Sequence, residues 1–192
     1  LMQLMETLPN LKGVALHATT FGWVDLAYTK KRTITVTNCP RWSTQTIAEY
    51  ALSLLFILAK KIIKHDRTIQ QGSFKLEEGF ELKGKTLGII GVGSIGSALA
   101  TMANGIGMNI IGYNHSPKNV QRIAMKNSLD ELLAEADAIS LHVTHKEENK
   151  HLISNEQIKK MKDGVIVVNV ADRECVDERA MAEALQSEKV FG

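Results

Sequence analysis

The sequence predicts a doubly wound α/β fold around a parallel sheet, and three observations predict it. Short apolar runs alternate with segments of helical periodicity along most of the 192 residues. A glycine cluster, Gly91-x-Gly93-x-x-Gly96, stands between one such run and the helix that follows it. The run Gly164–Val170 is almost continuously apolar, as expected of a strand buried on both faces. Strands joined through helices pair in parallel with right-handed crossovers.

Taken in order, the first forty residues give a helix (Met2–Thr7), a strand (Val14–His17), a short helix (Val24–Lys30) and a strand (Ile34–Thr37). Asn38-Cys39-Pro40 stops that strand, because proline cannot continue the ladder. Ser43 or Thr44 can cap a long helix running to about Gln70, with Ile47, Ala51, Leu54, Leu55, Leu58 and Ile62 at helical spacing. Gln71–Lys85 is polar and contains glycine, so it reads as a loop and a candidate boundary.

Lys85–Ile90 is a strand, and Ser94–Ala103 a small-residue helix with Ile95, Ala98, Leu99 and Met102 on one face. Asn109–Tyr113 is a strand, followed by a helix over Ser128–Ala136 with the capping box Ser128-x-x-Glu131. Asp137–Val143 is a strand, and Ser154–Met161 a helix with a second box, Ser154-x-x-Gln157. Asp177 caps a last helix to about Gln186, and Lys189–Phe191 begins one more strand.

Hydrophobic residues make up 44% and charged residues 23%, the profile of an ordinary globular chain. The net charge of +2 comes from 23 basic and 21 acidic side chains mixed along the sequence, so no basic stripe points to nucleic acid. Ala51–Ala59, closed by Lys60 and Lys61, is too short to span a bilayer. A signal peptide is not expected, since no basic segment precedes an apolar stretch. The chain opens on leucine and stops at Val190-Phe191-Gly192, so it is expected to be cut at both ends. Cys39 and Cys175 lie far apart without metal-ligand spacing, which fits free thiols in a reducing, cytoplasmic compartment.

The glycine cluster carries the first chemistry. Gly91 permits a tight turn, Gly93 lets backbone approach a pyrophosphate, and Gly96 lets the helix lie close on the strand. The helix start, Ser94 and Ile95, offers unpaired N–H groups and the positive dipole end to the phosphates. Without its strand and helix the motif would be only a glycine-rich turn. In this context it predicts binding of a dinucleotide.

Further motifs extend this picture: Val36-Thr37-Asn38-Cys39-Pro40, Ile47-Ala48-Glu49, Leu82-Lys83-Gly84-Lys85-Thr86-Leu87-Gly88-Ile89-Ile90-Gly91, Ser128-Leu129-Asp130-Glu131-Leu132-Leu133, Ser140-Leu141-His142 and Val176-Asp177-Glu178. Over nearly its whole length the chain resembles the D-isomer-specific 2-hydroxyacid dehydrogenases, the group of phosphoglycerate, glycerate and D-lactate dehydrogenases. The resemblance implies a Rossmann NAD(P)-binding domain over residues 43–192, including an interdomain helix at 43–70. It also implies that residues 1–42 are a remnant of a flavodoxin-like substrate domain, which in the family is split between the chain ends.

The resemblance implies cofactor contacts at Gly91, Gly93, Ser94, Ile95, Gly96, Asn114, His115, Ser116, His142, Val143, Thr144, Asn149, Val170, Ala171 and Asp172. Thr19-Thr20-Phe21-Gly22 matches the loop whose amides receive a substrate carboxylate, or is a plain turn. Family catalysis uses a histidine held by a glutamate, plus an arginine that polarises the carbonyl and clamps the carboxylate. The glutamate and histidine are expected beyond Gly192, so no turnover is expected from these residues alone. His142 fits the cofactor-side turn, and His65, His145 and His151 read as surface residues.

Where the family usually reads Asn-Thr-Ala-Arg-Gly-Gly, this chain has Asn169-Val170-Ala171-Asp172-Arg173-Glu174. Either Arg173 reaches the same pocket through a rearranged turn, or it is a surface residue and Asp172 alters the chemistry. Asn114 likewise stands where the family usually has aspartate, within Tyr113-Asn114-His115-Ser116-Pro117-Lys118. Asparagine does not repel a 2′-phosphate, and His115, Ser116 and Lys118 offer donors, so NADP is open beside NAD. Asn114 as a mere turn former is the plainer alternative.

The expected function is therefore hydride transfer between a nicotinamide cofactor and a D-2-hydroxy or 2-keto acid. The alternatives are an NAD(H)-sensing, corepressor-like binding protein of the same fold, and a substrate outside the 2-hydroxy acids. A homodimer is expected through the apolar helix Ile47–Ile63, whose Leu52, Leu55, Phe56 and Leu58 spread over more than one face.

Overall fold

The alternation of apolar runs and capped helices yields two parallel sheets, each in its own unit of the chain. The computed structural model describes residues 2–19, 21–116, 120–144 and 146–192. Residues 1–44 and 45–192 form two compact units.

In the first unit, helix α1 (Met2–Glu6) leads to strand β1 (Gly13–Leu16), helix α2 (Leu26–Lys31) and strand β2 (Thr35–Asn38). The strands pair in parallel, with Val14 opposite Val36. Asp25 caps α2 by accepting from the Tyr28 N–H at 2.8 Å. The Arg32 guanidinium closes the turn after α1, donating to the carbonyls of Met5, Leu8 and Pro9 at 2.7, 3.0 and 3.0 Å.

The second unit opens within α3 (Thr44–Ala59), from Gln45 on, and continues with α4 (Ile62–Gln70). A sheet follows, built from β3 (Thr86–Ile90), β4 (Asn109–Tyr113), β5 (Ala124–Met125), β6 (Ala138–Leu141) and β7 (Ile166–Asn169). Its order is β5-β4-β3-β6-β7, with every pair parallel. Helices α5 (Ser94–Gly105), α6 (Leu129–Glu135), α7 (Asn155–Lys160) and α8 (Glu178–Gln186) make the crossovers.

Both faces are covered, as continuous apolar strands require. Leu87 and Ile89 of β3 pack with Leu55 of α3 and Leu99 of α5. Ile90, Ile139 and Leu141 pack on the opposite side with Leu132 and Leu133 of α6. Each of these side chains is essentially excluded from water, a gain of about 2 kcal/mol apiece before entropy. Chain order reverses between β3 and β6, so their carboxyl ends open a crevice.

Four expectations need correction. The single helix over 43–70 is two, because Lys61 adopts a left-handed backbone at φ 53°. The Ala59 carbonyl accepts instead from the Phe80 N–H at 3.0 Å, and the Lys60 ammonium donates to the Phe80 carbonyl at 3.0 Å. The polar stretch 71–85 thus lies inside the second unit and clasps the helix break. Glu131 reaches the N–H of Asn127 at 3.1 Å rather than that of Ser128, so only the Ser128 half of that box forms. Residues 189–191 form a parallel bridge, Val190 against Val165 just before β7, rather than a full strand. The Ser154–Gln157 box forms in both directions, and Asp177 caps α8. None of the described helices is long and apolar enough to cross a membrane.

Candidate functional site

The three glycines divide their work by what surrounds them. Gly91 turns out of β3 at φ 95° and donates to the Tyr113 carbonyl at 2.9 Å. A Cβ on Gly91 would lie 2.8 Å from the carbonyl carbon and oxygen of His142, and one on Gly96 would lie 2.6 Å from the Gly91 oxygen. Both positions are closed to any side chain. Gly93 differs, because among the described residues beyond its chain neighbours and its own helix nothing lies within 4 Å of where its Cβ would stand. It occupies the N-cap of α5 without a side-chain cap, so no capping side chain claims the first amides of that helix.

Beside this turn the carboxyl ends of β3, β4 and β6 enclose a cavity of about 220 Å³. Gly91, Asn114, His115, Val143, Thr144 and Asn149 all line it, so six expected contacts meet in one place. The Asn149 amide holds the far wall by donating to the Thr144 carbonyl at 2.8 Å. Asn114 accepts at Oδ1 from the Val92 N–H at 2.7 Å, tying the end of β4 to the glycine turn. Ser116 is exposed, while Lys118 and His145 lie outside the described residues.

His142 closes the end of β6. Its Nε2 lies 2.9 Å from the Ser140 hydroxyl, and its Nδ1 is buried with no partner. Burial pushes the imidazole down to about 4, so it is neutral near pH 7. The ring does not line the cavity, while the His142 backbone meets Gly91 at the turn.

Past β7, Asn169 organises its own turn, accepting from the Ala171 N–H and donating to the Asp172 carbonyl, both at 3.0 Å. Val170 and Ala171 stand in this turn. Asp172 caps the 3₁₀ turn Arg173–Cys175 by accepting from the Glu174 N–H at 2.9 Å. Arg173 grips Glu178 in a two-pronged fork at 3.1 and 3.0 Å. Its side chain is 79% exposed, a surface ion pair in this structure. In the first unit, the Thr19 carbonyl accepts from the Asn38 amide at 2.7 Å, and Thr20 lies outside the described residues.

Two features of the cavity escape sequence reasoning. Lys146 and Glu148 line it as an ion pair at 3.1 Å, within a 3₁₀ turn that no motif announces. The Val92–Asn114 bond joins residues with no local pattern between them. A larger groove of about 870 Å³ between α4 and α8 is bordered by Gly164, which precedes β7, so it sits at the amino end of the sheet. It is remote from the glycine turn.

The sequence profile described as D-isomer specific 2-hydroxyacid dehydrogenase, NAD binding domain, matches residues 52–192. The chain belongs to that family. A hydroxypyruvate reductase of Thermotoga maritima is 38% identical over 190 residues, covering 98% of this chain and 62% of the relative. The D-lactate dehydrogenase of Aquifex aeolicus, solved with NAD and lactic acid, is 34% identical at TM-score 0.83, with 100% of this chain and 59% of that one covered. An acyclic imino acid reductase solved with NADPH and D-Arg is 30% identical at TM-score 0.87, covering 100% and 63%. The chain spans about three-fifths of the length of the curated relatives it matches. Its second unit is accordingly an NAD-binding domain of the Rossmann type.

Proposed function

We propose that the chain forms the cofactor-binding part of an NAD(P)-dependent oxidoreductase acting between a D-2-hydroxy acid and its 2-keto acid. The observation that carries this reading is the glycine turn, with Gly91 and Gly96 packed on backbone while Gly93 opens on free space. A nicotinamide dinucleotide held there supplies or accepts the hydride. The amides of Ser94 and Ile95 at the start of α5 receive the pyrophosphate, and Gly93, whose own N–H donates to the Gly91 carbonyl at 2.9 Å, leaves room for it. Asn114, His115 and Ser116 attend the adenosine ribose, and Val143, Thr144 and Asn149 wall the adenine. His142, Val170, Ala171 and Asp172 border the nicotinamide side. NAD and NADP are both compatible with these groups.

Residues 1–42 serve in this proposal as part of a substrate domain, its Thr19–Thr20 loop offering amides to a carboxylate. Arg173 clamps the 2-keto acid after leaving Glu178. On α3, exposed Tyr50 and half-buried Leu52, Leu54 and Phe56 support a homodimer. The free thiols of Cys39 and Cys175 support a reducing, cytoplasmic setting. Calorimetric titration with NADH and with NADPH tests the core of the proposal. Saturable binding of at least one is expected, and a folded sample that binds neither defeats it.

One observation favours a second reading, a dinucleotide-sensing binding protein. The Arg173 guanidinium is committed to Glu178 on the surface, and Asp172 is committed to a cap. Full-length protein that binds NADH yet reduces no 2-keto acid would select this reading over the enzyme.

A further inference from the structure

Resting on the cofactor-binding reading, we infer that the turns after β6 and β7 form one body, so that an adenosine nucleotide in the cavity orders the turn that carries Arg173. The first is the 3₁₀ turn Glu147–Asn149, whose Asn149 lines the cavity. The second is the 3₁₀ turn Arg173–Cys175. Arg173 has two settings on it: gripping Glu178, as in this structure, and released from Glu178 in the proposed chemistry.

Backbone hydrogen bonds tie the two turns side by side. The Asn149 carbonyl accepts from the Leu152 N–H at 3.2 Å, which carries the cavity wall into the next residues. There the His151 N–H donates to the Glu174 carbonyl at 2.7 Å, and the Ile153 N–H to the Cys175 carbonyl at 3.0 Å. The Asp177 N–H donates back to the Ile153 carbonyl at 2.9 Å, completing a parallel bridge between Ile153 and Val176. Ile153 and Cys175 are buried in one apolar cluster, which keeps water from the inner bonds. Glu147, Asn149 and Lys150 face Asp172, Glu174 and Cys175 across a crevice of only about 10 Å³.

His151 holds this seam under strain. Its side chain is exposed, yet its backbone is left-handed at φ 49°, a region that side-chain-bearing residues avoid. The bond to the Glu174 carbonyl keeps it there. A ligand that settles the Asn149 wall therefore biases the backbone of residues 174–177, and with it the two settings of Arg173.

Amide hydrogen exchange on this chain, with and without saturating ADP, tests the inference. ADP carries the adenosine and the pyrophosphate but has no nicotinamide to touch the second turn. Exchange at Cys175, Val176 and Asp177 is expected to slow by at least about five-fold, together with exchange at Asn149. Residues 181–186 in α8 should change by less than about two-fold, which separates the local effect from a general rise in stability. His151→Val replaces an exposed side chain with a β-branched one that disfavours the left-handed backbone, so it draws the N–H from Glu174. That variant is expected to bind ADP and protect Asn149, while protection at residues 175–177 is lost. Unchanged exchange at the second turn of the parent, equal protection throughout α8, or full protection in His151→Val overturns the inference. So does a chain that binds NADH but not ADP. A folded parent that binds neither defeats the cofactor-binding reading itself.

Discussion

The carbonyl oxygen of His142 stands 2.8 Å from the point at which a Cβ on Gly91 would lie, so the ends of β3 and β6 meet backbone to backbone. Gly91 also holds φ at 95°, a region that side-chain-bearing residues avoid. Gly91→Ala therefore meets strain and overlap together. A loss of about 3 kcal/mol in unfolding free energy is expected, accompanied by loss of dinucleotide binding. Urea denaturation reads the first and titration the second. An unaffected midpoint would mean that these strand ends separate freely.

Gly93 predicts the reverse pattern. Among the described residues beyond its chain neighbours and its own helix, no atom lies within 4 Å of its Cβ position, so Gly93→Val should change stability by less than about 1 kcal/mol. Its methyl groups would fill the space assigned to the pyrophosphate. Binding of NADH and NADPH should fall at least about ten-fold. A variant that binds like the parent would move the phosphate site elsewhere.

Most of this architecture was legible because its signals are local. Asn109–Tyr113 reads as a strand from its own side chains, and Ser154 with Gln157 reads as a box within one helical turn. The break at Lys61 was not legible, since it depends on the Ala59 carbonyl accepting from Phe80 after the chain has looped back. In the sequence Asp172 reads only as a departure from a motif, and its role as a cap depends on the folded 3₁₀ turn. The glycine spacing marks the turn, but the Val92–Asn114 bond, which orients the Asn114 amide, belongs to tertiary structure.

That helix break yields its own test. A Cβ on Gly79 would lie 2.4 Å from the Ala59 oxygen and 2.9 Å from Lys60 Cα. Backbone cannot yield as a flexible side chain does, so Gly79→Ala must push the clasp away from α3. A loss of about 2 kcal/mol is expected, with faster amide exchange at Phe80. Unchanged exchange at Phe80 would show that the clasp survives a side chain there.

Two groups divide the acid limb of stability. Burial holds His142 at about 4 rather than 6.5, so below pH 6.5 the unfolded chain takes up a proton that the folded chain refuses. Its contribution is complete above 6.5 and declines as pH falls towards 4, by about 2 kcal/mol after allowance for solvent reach. Burial pushes the Asp137 carboxyl up, but the Thr86 N–H at 2.8 Å and the Lys162 ammonium at 2.9 Å outweigh it and hold the group below 3.8. That contribution is present above 3.8 and is lost as pH falls through the lower folded value. His142→Gln should flatten the unfolding free energy between pH 6.5 and 4, and Asp137→Asn should flatten it only below. Superimposable profiles for parent and variants would remove both assignments.

Arg173 presents the sharpest test of the proposed chemistry. A 2-keto acid needs a planar fork on its carboxylate and carbonyl, which lysine does not reproduce. The guanidinium now makes that fork with Glu178, at 3.1 and 3.0 Å, with both side chains largely exposed. An exposed pair of this kind is worth less than about 1 kcal/mol, so a substrate carboxylate can compete for the arginine. In the full-length protein Arg173→Ala should lower kcat/KM for a 2-keto acid by about 100-fold, with cofactor affinity unchanged. Arg173→Lys should recover little of it. Glu178→Ala releases the arginine and should leave kcat/KM equal or higher, whereas Asp172→Ala should cost about 1 kcal/mol of stability through the lost cap. Near-parental turnover in Arg173→Ala would mean that the carboxylate is held by another group, and that the Arg173–Glu178 pair is only a surface contact.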